Sequence, residues 1–224
     1  MAVFYFFACI LFNLILAKPK PFSYYIDMFL TLWVDADSIP KNLRTIILKA
    51  AVRINANAYF VSDRNLSDVQ LFIEEDTHRI RSEKKAQGIT EKAQLKAYTS
   101  SIHQIVVQTG KDSADNYIVE NSTLPALCIT HDIPLASRML EKGAFAIDDR
   151  GESYTQENIN ARLGNRMINQ QLREYGIFEE QQSKMKESST KAFADNLDRT
   201  LTSILKTLNI SNISNILNNS SNES

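Results

Sequence analysis

The chain predicts an α/β fold built on a mainly parallel sheet. Short apolar runs alternate with stretches whose apolar residues recur at helical spacing, the pattern of strand–helix–strand units with right-handed crossovers. Four acidic motifs also recur near the ends of those runs. They are Asp35 and Asp37 in W-V-D-A-D-S, Asp112 and Asp115 in T-G-K-D-S-A-D-N, Asp132 in C-I-T-H-D-I-P, and Asp148 and Asp149 in A-I-D-D-R-G. In an open parallel sheet all such strand ends share one edge, where ligands bind.

The elements follow in order. Met28 to Val34 is an apolar, aromatic run and predicts a first strand. Ser38 suits a helix cap, with Pro40 in the first turn. Leu43, Ile46, Ile47, Ala50 and Ile54 then mark a helix face. Ala58 to Val61 predicts a second strand and Gln104 to Gln108 a third. A helix opens near Ser113 and carries Ala114, Ile118 and Val119. Leu127 to Thr130 predicts a fourth strand. Pro134 starts a short helix with Leu135, Met139 and Leu140 inward, and Gly143 stops it. Ala144 to Ile147 predicts a fifth strand. A helix is expected from about Gln156 to Tyr175. A last one is expected from about Lys191 to Leu208, with Phe193, Leu197, Leu201, Ile204 and Leu208 on one face.

The 224 residues suit one domain with tails, here residues 28–208. A formal net charge of −1 excludes a globally basic nucleic-acid binder, so a polyanion needs a local basic patch or a metal. Of the two cysteines, Cys9 lies in an apolar stretch and Cys128 in an expected strand. That arrangement points to no structural disulfide and to a reducing, cytoplasmic setting. Ala2 to Ala17 is apolar and uncharged, yet shorter than the ~20 residues of a membrane span. A start assigned too far upstream, with Met28 as the natural beginning, is the first reading of residues 1–27; an export signal and a membrane anchor are the others. Membrane association is expected only if that segment is retained. Asn209 to Ser224 is mostly Asn and Ser and reads as a disordered tail.

Residues 64–101 are long for a link between strands. They hold the most basic stretch of the chain, with Arg79, Arg81, Lys84 and Lys85. A solvated helix face with local charge pairs and a nucleic-acid contact arm are both open readings. Lys111, in the turn before Asp112, is a further candidate partner for a phosphate or for the acids.

Clustered carboxylates repel. Two of them about 4 Å apart cost about 4 kcal/mol at an effective dielectric near 20. They need a cation, a shared proton or a basic partner. Without a Cys/His cluster, the oxygen-only set favours Mg²⁺ or Mn²⁺ over zinc and needs no organic cofactor. Each acid also has a plainer role: Asp37, Asp112 and Asp132 as helix caps, Asp148 and Asp149 as a turn. Asp115, one turn inside its helix, has no such alternative. His131 lacks a His or Cys partner, and Trp33 and Tyr117 read as packing residues.

Taken together, V-D-A-D-S-I-P, T-G-K-D-S-A-D-N-Y-I-V-E, I-T-H-D-I-P-L-A, A-I-D-D-R-G-E-S-Y-T-Q-E-N-I and F-A-D-N-L-D-R-T-L resemble the bacterial YaiI/YqxD family, over roughly Leu32 to Leu205. That family is grouped with PIN-like domains, many of them metal-dependent ribonucleases. The resemblance implies a PIN-like three-layer α/β/α sandwich with Asp35, Asp37, Asp112, Asp115 and Asp132 in its acidic pocket. The basic segment is longer than the family's usual link. A Gly-Gly-Pro stretch expected before the final helix is replaced by E-E-Q-Q-S-K-M-K-E-S-S. The leading expectation is a nuclease acting on RNA, with metal on Asp35, Asp115 and Asp132, and with Asp37 and Asp112 orienting the attacking water. Two alternatives stand beside it. One is a non-catalytic nucleic-acid or protein binding module. The other is a haloacid-dehalogenase-type phosphatase, with Asp35 as nucleophile and Asp37 as acid/base.

Overall fold

A computed structural model describes residues 30–110, 112–176 and 187–221, with the side chains of the last segment described over 189–208. Residues 1–27, Lys111 and most of the E-E-Q-Q-S-K-M-K-E-S-S stretch lie outside it. The strands are β1 (Thr31–Asp35), β2 (Asn57–Ser62), β3 (Ile102–Val106), β4 (Ala126–Ile129), β5 (Phe145–Ile147) and β6 (Ser153–Tyr154). The helices are α1 (Lys41–Ile54), α2 (Ser67–Ala86), α3 (Lys92–Ala97), α4 (Ser113–Asn121), α5 (Ile133–Glu141), α6 (Gln156–Glu174) and α7 (Glu187–Ser221).

One six-stranded sheet runs in the order β3-β2-β1-β4-β5-β6. All neighbours pair in parallel except β5 and β6. The expected α/β sandwich with a mainly parallel sheet is therefore present. The chain leaves β1 in one direction to build β2 and β3, then returns to the other side of β1 with β4. That reversal opens a crevice at the carboxyl ends of β1 and β4.

Helices cover both faces. Leu43 and Ile47 of α1, Val69 of α2, and Phe193, Leu197, Leu201 and Ile204 of α7 pack on Leu32, Val34, Phe60 and Leu127. Ile118 of α4, Leu135 and Met139 of α5, and Ile159 of α6 pack on Trp33, Cys128 and Ala146. Because β1 and β4 are buried on both faces, they read as unbroken apolar runs rather than as alternations. Cys128 is a free, buried thiol, and burial pushes its pKa up.

Two local expectations need correction, and one open question is answered. Ser38 does not cap α1. The N-cap is Pro40, without a side-chain bond, and Ser38 Oγ instead donates to the Asp35 carbonyl (3.1 Å) and accepts from His131 N (3.2 Å). It therefore stitches the loop after β1 to the loop after β4. Residues 64–101 form α2 and α3, so the long link is structured. Finally, α7 continues past Leu208 to Ser221, across residues expected to lack structure. Ile210, Ile213 and Leu217 keep the three-to-four-residue spacing of a helix face in that stretch. No helix among the described residues is long and apolar enough to cross a membrane.

Candidate functional site

The site is built from loops at the carboxyl ends of parallel strands. Asp35 closes β1 and is 5% exposed. One of its carboxylate oxygens accepts the Thr130 hydroxyl at 2.8 Å, so the residue after β4 holds the residue ending β1. Asp37 accepts the Asp63 backbone N–H at 2.7 Å and lies 3.6 Å from Arg64. Partial desolvation raises its pKa despite that bond.

Asp112 is the N-cap of α4 and adopts a left-handed backbone with φ 58°; its side chain makes no capping bond. It is thus placed as a cap but does not act as one. Asp115 sits in the first turn of α4, over the sheet. Its pKa is raised to about 6, first by burial and then by the negative charges of Asp35, Asp132 and Asp112. Arg138 of α5, held by Asn116 at 2.9 Å, opposes that rise. Asp35, Asp132 and Asp112 are thus near enough to Asp115 for their charges to act on it.

Asp132 does cap α5, accepting from Leu135 N at 3.3 Å, and it also forms an ion pair with Arg166 of α6. The capping reading and a site role are therefore compatible. Asp148 makes the expected turn, accepting from Arg150 N (2.9 Å) and Glu152 N (2.8 Å). It is also paired with Arg162 at 2.9 Å. Asp149 pairs with His131 at 3.1 Å, which lowers the Asp149 pKa and raises that of His131. His131 therefore has a carboxylate partner that spacing did not suggest. A cleft of about 580 Å³ runs from Asp132 and Asp148 along α6 to Arg173.

The basic candidates of residues 64–101 are placed elsewhere. Arg79 is paired with Asp76 and Glu83, both at 2.7 Å. Arg81 donates to the carbonyls of Tyr98 and Lys96, ahead of β3. Lys84 bonds Gln87 and lies over the Tyr98 ring. These groups, with Lys85, sit in the last turns of α2, about 20 Å along the helix from its start beside the acidic edge. They face the amino ends of the strands, and three of the four are already engaged. Trp33 packs, stacked on Tyr59 with ring centroids 4.4 Å apart.

Donor chemistry at the acidic edge is all oxygen, the kind a hard divalent cation takes. Among the described residues no three His, Cys, Asp or Glu side chains stand in place to hold an ion together. Thr130 and Arg166 occupy oxygens of Asp35 and Asp132. Sequence reasoning missed Thr130, Arg138, Arg162 and Arg166. The α6 arginines were visible as an i, i+4 pair, but nothing in the sequence places that helix against the acids.

The fold and site define a class: an α/β sandwich with an acidic crevice at the switch point of its sheet. The chain belongs to the YaiI/YqxD family, described as uncharacterised, whose profile matches residues 78–203. That match begins inside the basic segment, so residues 78–101 belong to what the family shares. UPF0178 proteins are similar along almost their whole length. The relative from Marinomonas sp. strain MWYL1 is 37% identical over 78% of this chain and 99% of its own. Those from Trichlorobacter lovleyi and Myxococcus xanthus are 32% and 34% identical, each over 79% of this chain and 97% of their own. No solved structure matches the chain.

Proposed function

We propose that the protein is a PIN-like, divalent-cation-dependent nuclease acting on RNA. The observation that carries this reading is Asp115, whose carboxyl is raised to about 6 by burial and by Asp35, Asp132 and Asp112. Burying so much like charge is costly unless something neutralises it. Asp35, Asp115 and Asp132 would hold Mg²⁺ or Mn²⁺. Bound there, such an ion supplies Lewis-acid stabilisation of a phosphoryl oxygen and a more acidic water. The chain's own residues do the rest. Thr130 fixes the rotamer of Asp35. Asp37, held by Asp63 N, and Asp112 orient the attacking water and take its proton. Arg138 offsets surplus negative charge beside Asp115.

The test is hydrolysis of single-stranded RNA by the purified chain with Mn²⁺, and its loss in Asp115→Asn. Failure to cut any nucleic acid with metal present overturns the proposal. A second reading, a non-catalytic binding module, draws support from the Arg166–Asp132 pair, which neutralises one acid without metal. Calorimetric titration separates the two: a module shows no affinity for Mg²⁺ or Mn²⁺. The Asp-nucleophile phosphatase finds no such support, because Asp35 is buried and hydrogen-bonded rather than presented for attack.

A further inference from the structure

The cleft beside the acids has a wall that the proposed chemistry does not use. It is α6, on which Arg162, Arg166, Asn169 and Arg173 recur at intervals of four, three and four residues and so share one face. All four line the cleft, joined by Arg150 from the turn after β5. Formal charges in the cleft cancel, but hydrogen-bonding capacity does not. Arg166 already serves Asp132, Arg162 serves Asp148 and Glu152, and His131 serves Asp149. Every cleft carboxylate is thus partnered, while the guanidinium of Arg173 has no hydrogen bond or ion pair among the described residues and that of Arg150 acts on Asp149 through its charge alone. The surplus is one of hydrogen-bonding capacity: ten N–H donors on two guanidiniums.

Arg173 lies seven residues beyond Arg166, about 10 Å along the helix. A stacked strand rises about 3.4 Å per nucleotide, so that gap spans about three nucleotides. A single phosphate cannot reach both ends. Guanidiniums match phosphate oxygens in bidentate fashion. The amides of Asn165 and Asn169 offer donors and acceptors together, which suits ribose hydroxyls and unstacked base edges.

We infer that the arginine face of α6, together with Arg150, is a binding track for the phosphodiester backbone of a single-stranded nucleic acid. The track ends at Arg166 and Asp132, and only that destination rests on the nuclease reading.

The experiment is fluorescence anisotropy of the full chain with a labelled RNA of about ten nucleotides in EDTA, so that binding is read without cleavage. In the double variant Arg150→Glu/Arg173→Glu, affinity falls about tenfold or more, and the slope of log K against log salt becomes shallower by about 1.4. Lys85→Glu, at the opposite edge, leaves both unchanged. Coincident melting curves show that the variants fold. No binding by the parent chain, or equal binding by the double variant, overturns the track. Loss in Lys85→Glu alone reassigns RNA to the end of α2. Competition by poly-glutamate as strong as by RNA overturns it in favour of an acidic protein partner. Track binding without cleavage in Mn²⁺ leaves the track standing and removes the nuclease. Cleavage with an unchanged KM in the double variant does the reverse.

Discussion

Asp115 is the residue on which most depends, and its burden has a measurable sign. A carboxyl raised from 3.8 to about 6 binds its proton more tightly when folded. Its contribution to stability is therefore fully present below pH about 4 and is lost as pH rises through about 6. The shift corresponds to about 3 kcal/mol, which solvent screening at a half-buried site reduces to about 1–2 kcal/mol. Asp115→Asn is expected to raise the melting temperature at pH 7.5 and to flatten its decline between pH 4 and 7. Thermal melts at several pH values check this. A variant no more stable than the parent at pH 7.5 would show that the acids do not meet as described. Asp132→Ala is instead expected to lower the melting temperature, since it removes the Arg166 ion pair and the cap of α5.

At the scale of elements, the loops after the strands are fixed by contacts that single motifs conceal. The turn after β5 is one of them. Gly151 has φ +78°, and a Cβ there would meet Asn196 Cβ at 2.5 Å and the Phe193 carbonyl at 3.2 Å. Glycine is required both for the left-handed backbone and for the approach of α7. Gly151→Ala is expected to cost about 2 kcal/mol or more, read as a lower urea midpoint, because strain and overpacking act together. It should also move Arg150 and so weaken the proposed track along α6. Ser38 and Thr130 act similarly: each is a small hydroxyl that ties one strand-end loop to another. From sequence, Ser38 before Pro40 looks like a helix cap, and only the neighbouring loop after β4 reveals its other use.

For the whole molecule, one sheet separates two apolar clusters, and both rest on β1 and β4. The described domain is expected to unfold in a single transition. Leu43→Ala on one face and Leu135→Ala on the other should each cost about 2–5 kcal/mol. Fluorescence of Trp33, the only tryptophan, and far-ultraviolet circular dichroism should shift together in both variants. Separate midpoints for the two probes would mean that the layers fold independently. The same sheet sets the polarity of the surface. It gathers acids at the carboxyl ends of its strands and leaves the Arg79–Lys85 group at the other edge. Length and basic composition could not reveal that separation, because the direction of α2 is set by its packing on the sheet.

Apolar periodicity in the sequence determined the alternation of strands and helices, the inward faces of α1, α5 and α7, and hence the parallel sheet. It also placed the aspartates at strand ends, since hydrophobic patterning and chain polarity are local properties. The two-residue β6 and the continuation of α7 escaped it. The first is too short to show a period, and the second has too polar a composition. Tertiary structure alone decided which polar side chains meet: Arg166 with Asp132, Arg162 with Asp148, Thr130 with Asp35. These pairs join residues 14 to 95 positions apart, and such closure is specified by strand order and helix packing rather than by any local run.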